Sequence, residues 1–302
     1  MRLATDGLKS QRWATWELLT GPWASRATLS STTGSSWPLP VRSATAAAKA
    51  KRWALGIAHW ALGETRRAID FYQQWLAIAC DIGDRLSEGQ ALANLGGAYY
   101  GLGETRRAIE FHDRALAVVR ELGDRKAEGQ VLGNLGNAYA DLGETRRAIG
   151  FHEQALSIDR EIGDRRGEEE DLGNLGLAYA NLGETRRAIE YYEQALSIDR
   201  EIGDRRGEGQ DLGNLGLVYA ALDEISRAME YYEKQLAITC EIGDRRGEGK
   251  ALWNMSLALD KLGDRAQAIA RAEAALQIYE QIEDPNAAEV RRQLDQWRKP
   301  SA

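Results

Sequence analysis

Cysteine, proline and histidine are scarce in this chain, and no long apolar run interrupts it. Of its 302 residues two are cysteine (Cys80 and Cys240), three are histidine and five are proline, three of the prolines preceding residue 43. Most of the chain is therefore free to be helical. No stretch approaches the ~18 apolar residues needed to span a bilayer, so membrane insertion is not expected. Residues 1–42 lack the continuous apolar segment of a secretory signal, and the expected compartment is the cytoplasm. A basic excess is missing too: 39 Lys+Arg stand against 46 Asp+Glu, a formal charge of −7. That balance argues against a general nucleic-acid binder, which needs a net basic footprint.

What is present is a repeat. Leu-Gly-Glu-Thr-Arg-Arg-Ala-Ile occurs at residues 62–69, 102–109, 142–149 and 182–189, a spacing of 40, and the run from Ala155 to Glu168 recurs unchanged from Ala195 to Glu208. Cutting before each Gly-Asp gives units 83–122, 123–162, 163–202, 203–242 and 243–282, preceded by a less regular unit at about 43–82. Each unit predicts two helices. In 203–242, Gly203 suits the left-handed position that ends a helix and Asp204 the N-cap of the next. Leu212, Leu215, Tyr219 and Leu222 recur at helical spacing, and Ala228, Met229, Tyr232 and Leu236 form a second apolar face after a turn at Leu222-Asp223-Glu224. Period-2 alternation is absent, and Ala, Glu, Leu and Arg dominate, which excludes strands. Neither helix buries its stripe alone, so stability must come from stacking of neighbours.

Asp284 and Pro285 predict an N-cap and first helical residue. The helix that follows would lay Val290, Leu294 and Trp297 on the last unit and turn Arg291, Arg292, Asp295 and Arg298 to water. Residues 1–42, rich in Ser, Thr and Trp, show no sustained period; Ser30 to Pro40 reads as disordered. The expectation for residues 1–42 is a disordered tail; Trp13, Trp16, Trp23 and Trp37, odd for a pure linker, also leave open a partly helical docking segment, and a targeting segment or a misassigned start is the third reading.

The repeat resembles the tetratricopeptide family. Leu175, Gly176 and Tyr179, followed by Ala188, Tyr192 and Ala195, carry its full pattern, and two further units carry it with His112 and His152 in the aromatic slot. At 40 residues, without the terminal proline, the repeats are similar to those of kinesin light chains, of Leu-Gly-Asn-repeat spindle adaptors and of many bacterial proteins. The resemblance implies an all-α, right-handed α-solenoid of about six stacked helix-turn-helix repeats over 43–282, with a C-terminal capping helix and tail over 283–302.

One asparagine per unit keeps a fixed phase: Asn94, Asn134, Asn174, Asn214 and Asn254. A stripe through them, at i, i+4, i+7 and i+11, also takes in Gln130, Asn137 and Asp141, and in the next unit Glu170, Leu177 and Asn181. Gln90, Gln210 and Lys250 hold the phase of Gln130, and Trp253 adjoins the last asparagine. By the resemblance this stripe lines the concave face, where matching asparagines contact bound peptides. A carboxamide offers both donor and acceptor, so it can grip a peptide unit whatever its side chain. The plainer alternatives are that recent copying preserved the asparagines, or that they bond only to neighbouring helices. The last unit has drifted to Trp253, Met255 and Ser256 yet keeps Asn254. Co-chaperone relatives clamp a C-terminal carboxylate with Lys and Arg; here those positions hold Trp53, Ile57, Asn94, Gln130 and Asn134, so chaperone tails are not the expected ligand.

Other features invite chemistry and have a simpler reading. His112 and His152 share the phase of Tyr72, Tyr192 and Tyr232, and His59 that of Tyr99, Tyr139 and Tyr179, so all three read as tyrosine replacements with no carboxylate cluster at ligand spacing. Cys80 and Cys240 lie four repeats apart, too far for a disulfide. Gly-Glu-Gly at 207–209 opens a helix with no strand before it and is no nucleotide fingerprint. The Arg146-Arg147 and Arg186-Arg187 pairs read as a salt-bridged, solvated rim. The expectation is therefore a non-enzymatic adaptor or scaffold, without cofactor or metal, that binds a protein or peptide segment. The alternative is a structural, self-associating array, a homo-oligomer whose tail docks in its own or a neighbour's groove.

Overall fold

The computed structural model describes residues 39–298; the expectations for residues 1–38 lie outside that range. Thirteen helices and no strands occur among the described residues. They are α1 (Leu39–Ala61), α2 (Thr65–Ile82), α3 (Arg85–Gly101), α4 (Thr105–Leu122), α5 (Arg125–Asp141), α6 (Thr145–Ile162), α7 (Arg165–Asn181), α8 (Thr185–Ile202), α9 (Arg205–Ala221), α10 (Ile225–Ile242), α11 (Arg245–Lys261), α12 (Arg265–Gln281) and α13 (Ala287–Trp297). From α2 onward each helix packs on the next in chain order, as an α-solenoid requires.

Local chemistry sets the boundaries. Asp84, Asp124, Asp164, Asp204 and Asp244 each accept a backbone N–H from the first turn of the helix they precede, as Asp204 does from Gly207 at 2.9 Å. The even-numbered helices up to α10 end on a left-handed glycine, Gly203 with φ +74° among them. Glycine also takes the left-handed position in the turns inside the units, except that Asp223 occupies it at φ +63°.

Leu92, Leu95, Leu132, Leu135, Leu172, Leu175, Leu212 and Leu215 are all buried, as are Ala108, Ala148, Ala188 and Ala228 on the facing helices. At Gly176 a Cβ would stand 2.8 Å from the Tyr192 ring. The Leu175-Gly176 pair thus marks a close approach of helix to aromatic ring. The apolar interior forms a chain of four clusters, with no single centre.

α13 closes the C-terminal end. Val290, Leu294 and Trp297 are buried there, while Arg291, Arg292, Asp295 and Arg298 are exposed. The helix starts slightly later than Asp284-Pro285 suggested. Asp284 caps a turn, accepting the Asn286 N–H at 2.9 Å, and the helix proper begins at Ala287. Such differences of a residue or two are usual where a tight turn leads into a helix.

Candidate functional site

Odd-numbered helices of consecutive units touch each other, α3 with α5, α5 with α7, α7 with α9 and α9 with α11, while the even-numbered ones stand further apart. The odd helices therefore form the inner side of the stack. The asparagine stripe lies along them. Asn94, Asn134, Asn137, Asn174 and Asn214 are half-buried, as are Gln90, Gln130 and Lys250, whereas Asn181 and Gln210 are exposed.

The carboxamides are not equivalent. Asn94 donates to the Gln90 carbonyl of its own helix at 2.8 Å. Asn214 is a hydrogen-bond partner of Asp211. The Asn137 Oδ1 is buried with no partner. Asn254 departs from the stripe: it is 8% exposed and its Nδ2 has no partner. There the neighbouring Trp253 packs on Trp297 of α13, ring centroids 6.3 Å apart, so the last unit turns to closing the array. Trp53 at the other end packs on Trp75 in the same way, at 6.4 Å. Burial lowers the pKa of the Lys250 ammonium, with Arg246 adding repulsion.

Behind this stripe the fold assembles something the sequence reading missed. Asp159 and Asp171 meet at the α6–α7 interface, and Asp199 and Asp211 at the α8–α9 interface, all four buried. Burial raises Asp171 well above its ordinary range, and burial together with the neighbouring Asp171 charge pushes Asp159 up to about 7. Asp171 Oδ1 also lies 2.9 Å from His152 Nδ1. The repeat phase places His152 in a tyrosine slot without naming this aspartate as its neighbour. The two aspartates are twelve residues apart in sequence and meet only when α6 packs on α7.

At the second interface Glu169 of α7 joins the pair, and ligand oxygens of Glu169, Asp199 and Asp211 lie within 4.8 Å of one another. Both oxygens of Asp199 and Oδ2 of Asp211 lack partners. Burial, reinforced by neighbouring carboxylates, pushes Asp199 up to about 8 and Glu169 up to about 7, and raises Asp211 well above its ordinary range.

The remaining features behave as packing or surface. His112 and His152 are each 1% exposed in the aromatic slot. His59 stacks on Phe71 at 5.1 Å and pairs with Glu64 at 2.6 Å, half-buried at the start of the array. Cys80 and Cys240 are free and exposed. Glu208 of the Gly-Glu-Gly run is buried in a helix start and accepts from Arg200 at 2.8 Å and from Arg205. The arginine rim is paired: Arg107, Arg147, Arg187 and Arg227 reach Glu104, Glu144, Glu184 and Glu224, all at 2.7–3.1 Å, and lie over Tyr99, Tyr139, Tyr179 and Tyr219.

No helix among the described residues is long and apolar enough to cross a membrane. Residues 87–161 and 171–241 match one family profile described as tetratricopeptide repeat, and residues 54–86 match a second of the same description. No curated protein matches the chain in sequence. Several solved structures match its fold. BtubC (BKLC) from P. vanneervenii is 22% identical, with a TM-score of 0.65 over 72% of this chain and 92% of its own. Aspartyl phosphate phosphatase F from Bacillus subtilis is 18% identical, with a TM-score of 0.65 over 86% and 72%. A kinesin-light-chain-like protein of Podosopora anserina, itself built of nearly identical repeats, is 19% identical, with a TM-score of 0.56 over 64% and 95%. At these identities the likeness speaks for the fold.

Proposed function

Because the chain belongs to the tetratricopeptide repeat family, whose repeats are typically non-enzymatic protein-interaction modules, we propose that it holds an extended polypeptide along its inner face. The observation that carries this reading is the row of half-buried amides on α3, α5, α7 and α9. Asn134 and Asn174 sit at its centre, and bonds to other described residues engage neither of them. An amide half-shielded from water, with donor and acceptor both uncommitted, suits a peptide backbone running past it.

Magnitudes set what the row can do. A neutral hydrogen bond contributes a net ~0.5–1.5 kcal/mol, so a few rungs roughly offset the cost of association. They hold a chain without choosing it. Choice falls to the groups between the rungs: Glu170 and Asp141 toward the middle, Lys250 and Trp253 toward the C-terminal end. Asn254 contributes least, since reaching a ligand requires it to leave its buried position. The exposed thiols of Cys80 and Cys240 favour a reducing, cytoplasmic setting for this work.

The test uses random peptides displayed and selected on the full-length protein. Asn134→Ala with Asn174→Ala should weaken the selected peptides about tenfold, the loss of one to two hydrogen bonds, while helicity and melting stay unchanged. Equal binding by the double variant would remove the inner face as the docking surface.

A further inference from the structure

The repeats provide their own internal comparison. At the interface between one unit's outer helix and the next unit's inner helix, two equivalent buried positions hold Ala79 and Ala91, then Val119 and Val131, then Asp159 and Asp171, then Asp199 and Asp211, then Thr239 and Ala251. Apolar or small pairs therefore suffice for stacking, and the aspartates answer to something else. The inner helices add a second contrast. Where Gly89, Gly129, Gly209 and Gly249 stand in the other units, α7 carries Glu169. This one exception points at the Asp199–Asp211 pair and brings a third carboxylate to it from a third helix.

The local structure keeps room for these groups. A Cβ at Gly207 would meet Asp199 Oδ1 at 2.4 Å. Asp199 is 0% exposed and Asp211 3%, yet Asp199 has neither oxygen bonded and Asp211 leaves Oδ2 free. Unbonded buried carboxylate oxygens are costly unless something positive completes them. Arg166 is the cation that acts on Asp199, and it lies 3.8 Å from Glu170 instead.

We propose that Glu169, Asp199 and Asp211 bind a divalent cation that prefers oxygen ligands, calcium or manganese ahead of zinc. The donor set is all carboxylate, which selects hard ions over those that seek nitrogen or sulfur. Oxygens at most 4.8 Å apart leave the middle of their triangle within about 2.8 Å of each, so a slight inward movement gives the ~2.3–2.6 Å of calcium–oxygen bonds. The half-exposed Glu169 provides the route from solvent, and water fills the remaining positions. Because the ligands come from α7, α8 and α9, the ion ties two consecutive units together.

The experiment titrates Mn2+ into the full-length protein at mildly alkaline pH, followed by electron paramagnetic resonance, with Ca2+ and Mg2+ followed by calorimetry. One ion per chain is expected, with a dissociation constant of about 10 µM and a higher melting temperature when it is bound. Glu169→Gly, which restores what the other units carry, should weaken binding about tenfold by removing one charged ligand. Asp199→Val with Asp211→Val, which copies the Val119–Val131 layer, should abolish it without loss of helicity. Asp199→Asn with Asp211→Asn supplies the same readout with less change of shape. Asp159→Val with Asp171→Val should leave the ion bound. Absence of binding to the wild type at millimolar ion would overturn the proposal and leave the three acids sharing protons. Unchanged affinity in the Glu169 and Asp199/Asp211 variants would overturn it equally.

Discussion

His112 shows how much a single substitution in a repeated slot can change. Three other units place tyrosine there, but His112 puts a titratable ring into a site 1% exposed, with Nδ1 unpartnered. Burial lowers it to about 4. The sign follows directly: the fold needs the neutral ring, while the unfolded chain takes up a proton below about 6.5. Stability from this group is therefore complete above that pH and is lost as pH falls toward 4. By pH 5 the loss is about 2 kcal/mol. His112→Tyr should remove it, so the melting temperature of the variant should exceed that of the wild type by a margin that widens from pH 7.5 to 5 by about 4–8 °C. Parallel melting curves across that range would place the ring in a more open setting. The slot itself was legible in the sequence, since phase alone put His112 and His152 among the tyrosines. The proton chemistry beside His152 was not, because Asp171 reaches it only through the packing of α7 on α6.

Among elements, the forty-residue period set the number of helices, their capping aspartates and their terminal glycines before any coordinate. It could not show how helix faces meet. Nothing in the period distinguishes Asp159, Asp199 and Asp211 from other polar residues of a helix, or Glu169 from its neighbours in the run Glu168-Glu169-Glu170-Asp171. A comparison of equivalent positions between units, with Val119 and Val131 against the aspartates, was the available clue. The turn between α9 and α10 offers a cleaner case of sequence predicting energy. Asp223 holds φ +63° where the corresponding turns use glycine, a conformation that costs a non-glycine residue strain from its Cβ. Asp223→Gly should stabilise the protein by about 0.5–1 kcal/mol once the greater freedom of glycine in the unfolded chain is deducted. Thermal or urea unfolding would show it; an unchanged midpoint would mean that the aspartate makes up the strain by local hydrogen bonding.

Across the whole array, each unit leans only on its neighbours, and the apolar interior is a series of linked clusters. Stability in such a molecule is approximately a sum of unit and interface contributions, so the ends are its weak points. Removing residues 283–302 strips Val290, Leu294 and Trp297 from the face that includes Leu252, Ile278 and Tyr279. Amide exchange in α11 and α12 should then quicken about tenfold or more, for each ~1.4 kcal/mol lost, while exchange in α5 to α8 stays as it was. Uniform acceleration throughout would show that the array unfolds as one body.

The graded pairs between units carry one further consequence. Near-identical modules in tandem risk docking on the wrong neighbour during folding, because every outer surface resembles the next. Here a mispaired contact would set Asp159 or Asp199 against Val131, or strand a lone carboxyl on Ala91, burying acid against hydrocarbon. The layers therefore tell the two acid joints from the apolar ones, and part of the order of assembly is written into the interior of the stack.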